Sequence, residues 1–261
     1  MRTTAMPAAP AGVSTVAEEP AGDPVAGITV YAHPGWRRRL PDVVAGITAG
    51  ADMTLFGGTP AGQVVPRWLG LARALGFHGV AHAKQVHAAD VVAHRNRWDG
   101  LLIAGEADGH ATALDGALLA VSVADCVPIS LAAADGSAIA LLHGGWRGVA
   151  AGILERGLTV LRDECDVAPD AALVHFGPAI CGACFEVGAE VPTQLGLLDV
   201  PEAPRLFVDL RAHLAHRAVA AGVPAANITI SEHCTRCGES PFFSHRAGCA
   251  ERQVALLGRS A

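Results

Sequence analysis

A chain of 261 residues, 51% of them apolar, is long enough to bury a sizeable core. Only 17% of its residues are charged and the net charge is -6, which argues against a general nucleic-acid surface; the longest basic run is Arg37, Arg38, Arg39. The most apolar stretch, residues 116–142, is broken by Asp125, Pro128, Asp135 and Gly136, so it does not read as a membrane span.

Residues 1–24 are mostly Ala, Pro, Gly, Thr and Glu, without the apolar segment of a secretory signal. They read as a disordered tail ahead of one domain over residues 25–261, and the default compartment is the cytosol. Residues 59–75 follow as a helix, with Val64, Val65, Trp68, Leu69, Ala72 and Leu75 at three- and four-residue steps and Gly76 as its stop. Short strands are expected over 79–85 and 90–94. The near-continuous apolar runs 118–123, 128–132 and 138–142 suit strands covered on both faces. A long helix is expected over 146–163, a strand over 171–176, a helix over 208–221 and a strand over 227–231. Interleaved strands and helices give an α/β or mixed α+β class; spacing does not give the strand order.

Three apolar strands end on reactive side chains. Gln85 and His87 follow the first, Asp125 and Cys126 the second, and His143 the third, before Gly144, Gly145, Trp146 and Arg147. Alone, Cys126 reads as a buried thiol and His143 as part of a tight turn. Together, two imidazoles and a thiolate match a catalytic zinc site with one position left open, and copper(I) also suits the thiolate. Zinc would bring the pKa of a water molecule towards about 7. Asp125 is then a candidate partner of Cys126 or a general base, and Arg147 a candidate anion contact. Seven cysteines, an odd number in a reducing compartment, argue against a disulfide framework. The CxxC pairs Cys181/Cys184 and Cys234/Cys237 lie far apart in sequence and read as buried thiols in preference to a second zinc site.

The strings KQVHAADVV, SVADCVPI and LLHGGWRGVAAGI, followed by GPAICGACFEVG and CTRCGESPFFSHRAG, resemble the ordered signature blocks of the YfiH-type laccase-domain family, also called polyphenol-oxidase-like proteins or peptidoglycan editing factors. The resemblance implies zinc on His87, Cys126 and His143, and a single-domain layered sandwich of two mixed sheets flanked by helices. It implies purine nucleoside phosphorolysis on adenosine, inosine or methylthioadenosine, adenosine deamination, or amidase editing of a peptidoglycan precursor. A copper phenol oxidase ranks last, because one Cys and two His are too few ligands for several coppers. The expected partners are small molecules, either nucleoside and phosphate or a cell-wall precursor, with no nucleic acid and no membrane. Asp125, Arg147 and Glu186 are the expected catalytic residues, with Gln85, Gly144, Gly145, Trp146, Phe243 and Arg246 around the substrate. The sequence departs from the family pattern near residues 46–58, 107–112, 244–246 and 250–252, so the substrate-facing shell is expected to differ, and a specialised paralogue with a different small-molecule substrate is a further reading.

Overall fold

The computed structural model describes residues 3–4, 8–57, 59–197 and 205–260. Two seven-stranded mixed sheets pack face to face. The first runs Glu19–Pro20, Thr29–Ala32, Val43–Ala49, Gln253–Arg259, Ala117–Val123, Gly79–Lys84, Gly100–Glu106. The second runs Ser14–Val16, Ile228–Ser231, Ala172–Phe176, Val127–Ala133, Ile139–Gly144, Gly109–Thr112, Val91–His94.

Strand alternation explains the layers. Leu119, Val121 and Val123 of the first sheet meet Ile139, Leu141 and Leu173 of the second, forming the central core. The opposite face of the first sheet, with Val80, Leu118, Ala120 and Leu256, takes Val64, Trp68 and Leu71 of the helix Ala61–Ala74. The opposite face of the second, with Ile129, Leu131 and Leu142, takes Leu154, Leu158 and Leu161 of Ile153–Cys165 and Leu214 of Leu210–Ala220. Central strands are thus covered on both sides, which is why their sequences are apolar throughout.

Two features differ from the sequence reading. The helix expected over 146–163 is broken into Trp146–Ala150 and Ile153–Cys165 by Gly152, whose φ is +93°. This left-handed residue turns the chain where a glycine meets no Cβ penalty. The tail expected over 1–24 is instead placed from residue 8 onward, its strand Ser14–Val16 on the edge of the second sheet and Glu19–Pro20 on the edge of the first. Ser14–Val16 pairs with Ile228–Ser231, and buried Glu18 takes hydrogen bonds from His175 Nε2 at 2.7 Å and Ser231 Oγ at 2.7 Å. A carboxylate so partnered anchors a segment whose composition is that of a linker. Residues 1, 2 and 5–7 of that tail lie outside the described residues.

The chain crosses from the first sheet to the second between Val123 and Val127, through residues 124–126. This crossing, the loop after Gly79–Lys84, and the end of Ile139–Gly144 meet at one end of the sandwich.

Candidate metal centre

At that end the ligand atoms of His87, Cys126 and His143 all lie within 4.8 Å of one another. His143 ends a buried strand in register with Pro128. Cys126 follows Asp125, whose φ of +82° turns the crossing sharply, and His87 itself has a φ of +59°. Left-handed backbone at two non-glycine residues costs energy and persists only where surrounding bonds enforce it.

At His87, Asp108 supplies those bonds. It is fully buried, and its carboxylate accepts the backbone N–H groups of Val86 at 3.1 Å, His87 at 3.0 Å and Ala88 at 2.8 Å. The same carboxylate lies 2.8 Å from His143 Nδ1. With Nδ1–H donated to Asp108, the Nε2 lone pair of His143 is left for a ligand. One side chain therefore holds two of the three donors. Burial and then His143 itself act on Asp108, and the hydrogen bonds win, keeping its carboxyl below the usual range.

Burial disfavours the imidazolium of His143, but the neighbouring Cys126 and Asp108 outweigh it and raise His143 to about 9. His87 is pushed below its ordinary value by burial and then by the charge of His143. The donor set fits zinc: two imidazoles and a thiolate, oriented by a carboxylate behind one of them. Space fits as well, because a Cβ on Gly145 would sit 2.6 Å from His87 Nδ1 and 3.4 Å from Cys126 Sγ.

The three donors line a cavity of about 540 Å³. The structure brings Gln85, Asp125, Trp146, Arg147 and Arg246 to its lining. The Gln85 amide is engaged with Ser122, donating to its carbonyl at 2.8 Å and accepting its N–H at 2.7 Å. Asp125 accepts the Thr235 hydroxyl at 2.5 Å and the Arg246 N–H at 2.7 Å, tying the crossing to the cavity wall. The Arg147 guanidinium lies over the Trp146 ring, 4.3 Å from its centroid. Gly144 sits against Val127, whose carbonyl a Cβ would approach to 2.8 Å. Phe243 is not part of the cavity lining; its backbone N–H and C=O are held by the Gln253 amide. Glu186 is bound by Arg205 at 2.8 Å and lines an adjoining groove that shares Trp146, Arg147, Phe185 and Arg246 with the cavity.

Sequence reasoning missed Asp108, and also the wall residues Phe56, His82, Phe185 and Arg252. Asp108 carries one signal, a single acid directly before a short buried strand, Gly109–Thr112, paired with the His143 strand; without the register it points nowhere. The four CxxC sulfurs also converge, within 4.8 Å of one another, rather than lying as separate buried thiols.

Comparison with known proteins agrees with this architecture. Residues 45–261 match the family model described as multi-copper polyphenol oxidoreductase laccase. The chain is 36% identical over 193 residues to the purine nucleoside phosphorylase YlmD of Geobacillus stearothermophilus, covering 67% of this chain and 70% of that protein. It is 35% identical over 219 residues to adenosine deaminase RL5 of an unknown prokaryotic organism, covering 76% and 82%. The crystal structure of YlmD from Geobacillus stearothermophilus superposes with a TM-score of 0.78 at 30% identity, covering 95% of this chain and 100% of that one.

Proposed function

From its membership of the family described as multi-copper polyphenol oxidoreductase laccase, and from the cavity, we propose that this chain is a zinc-dependent purine nucleoside phosphorylase, with adenosine deamination as a second activity. The observation that carries the reading is the pairing of three convergent donors with an arginine, stacked on Trp146, in the lining of one cavity. His87, Cys126 and His143 would hold the ion. When bound, it supplies Lewis acidity, polarising an electrophilic bond or making water nucleophilic near neutral pH.

The remaining roles belong to the protein. Arg147 presents a guanidinium fork suited to phosphate. Asp108 fixes the ring of His143, and Asp125 fixes the Cys126 backbone against the wall. Phe56, half exposed beside His82, offers an aromatic face to a purine. Phosphorolysis forms a bond from a phosphate oxygen to the sugar C1′ and breaks the glycosidic bond, and the base leaves with a proton. Deamination places water at the purine carbon and releases ammonia; the relative named adenosine deaminase RL5 favours keeping it as a second reading. Among the described residues the cavity holds one group of three donors, enough for one ion rather than several coppers.

The test is product analysis with purified protein, zinc, and adenosine, inosine or methylthioadenosine, with and without phosphate. Phosphate-dependent release of free base is expected. Arg147→Ala should raise the KM for phosphate at least about 10-fold, the value of one charge-assisted contact. Inosine formed from adenosine without phosphate supports the deaminase reading. Absence of both products overturns the proposal, and cleavage of a muramyl–amino-acid conjugate would then identify an amidase of cell-wall precursors.

A further inference from the structure

Outside the cavity floor, Cys181, Cys184, Cys234 and Cys237 bring four sulfurs within 4.8 Å of one another. Cys181 Sγ lies 3.8 Å from Cys237 Sγ. A tetrahedron with Zn–S bonds of about 2.3 Å has S···S edges of about 3.8 Å. All four cysteines are free, with no disulfide between them.

The backbone around the sulfurs is arranged as for a ligand cluster. Cys234 Sγ accepts N–H groups from Cys181 at 3.3 Å, Arg236 at 3.4 Å and Cys237 at 3.5 Å. Such bonds stabilise a thiolate. Cys184 N–H and Phe185 N–H both donate to the Cys181 carbonyl, closing a tight turn over 181–185. Gly182 lets that turn press on Asp209, which a Cβ would approach to 2.7 Å. A parallel bridge between Ala179 and Cys234 holds the two turns side by side.

We propose that these four cysteines form a second, tetrathiolate zinc site, separate from the cavity centre and structural in role. Four thiolate donors leave no position for substrate. The ion would join the turn carrying Phe185 to the turn carrying Arg236, and so brace the wall that ends at Arg246. Arg236 already spans the turns by donating to the Cys184 carbonyl at 2.9 Å.

The experiment is metal counting on full-length protein purified under reducing conditions in zinc-supplemented medium. Wild type should hold two zinc ions per chain, Cys181→Ser with Cys237→Ser one, and His143→Ala one. After cobalt substitution, His143→Ala should keep the intense visible band of a tetrahedral tetrathiolate, and the double serine variant should lose it. Should the serine variant fail to fold, a mercurial titration of wild type serves: one zinc should leave as the four thiols react. Wild type with one zinc and four freely reactive thiols overturns the proposal, as does a His143→Ala protein without the tetrathiolate band. Neither readout depends on the activity assigned to the cavity.

Discussion

Asp108 is the residue on which the cavity floor depends, since its carboxylate binds the 86–88 backbone and His143 at once. Asp108→Asn keeps the shape and removes the charge that orients the imidazole. Metal affinity should fall about 10- to 100-fold, read by competition with a chelator. Gly145→Ala tests the other side of the site, because its methyl would fall 2.6 Å from His87 Nδ1. Loss of zinc from an otherwise folded protein is the expected result, and full zinc content would contradict the packing described. Three of these site residues, His87, Cys126 and His143, were readable because each ends an apolar run and stands in a distinctive string. Asp108 was not, because its partners are main-chain amides and the register that pairs Gly109 with Leu142 is invisible to spacing.

Among the elements, the readable ones were those whose apolar pattern runs uninterrupted. Ala117–Val123, Val127–Ala133 and Ile139–Gly144 appear within a residue or two of expectation. Val43–Ala49 and Gln253–Arg259 did not announce themselves, and each contains a glycine that close packing demands. A Cβ on Gly46 would lie 2.8 Å from the Tyr31 carbonyl, and one on Gly258 would lie 2.4 Å from the Phe77 ring. Glycine weakens the strand signal in sequence at the positions where neighbours come closest. The N-terminal segment was hidden for a different reason: its hold on the domain is a short strand pairing and a buried acid rather than an apolar stripe. Burial opposes the ionised form of Glu18, but His175 and Ser231 outweigh it and keep its pKa below the ordinary value. Glu18→Ala leaves both partners without an acceptor and should cost about 3 kcal/mol in urea unfolding, with the zinc content of the cavity site unchanged.

At the scale of the whole molecule, buried neutral histidines set the response to acid. Burial, and then the charge of His175, pushes His33 down to about 3; burial, and then Arg217, pushes His213 down to about 4. Their unfolded value is about 6.5, so below that pH the unfolded chain takes up protons that the folded chain refuses. Stability is therefore full above about pH 6.5 and falls on acidification towards the folded values near 3 and 4. Between pH 7 and pH 5 each group should contribute a loss of about 1–2 kcal/mol after allowance for solvent screening. His213→Leu should flatten the dependence of the urea midpoint on pH over this range, and an unchanged slope would remove His213 from the account. The crossing at residues 124–126 has one more consequence. Because Cys126 there meets His87 from a loop of the first sheet and His143 from a strand of the second, an ion at that point acts as a stitch across the sandwich, and occupancy becomes a mechanical property of the whole domain. At a concentration about 1,000 times its Kd, such an ion adds about 4 kcal/mol, or a Tm shift on the order of 10 °C. The protein then reports its own preferred metal through a melting curve, before any substrate has been chosen.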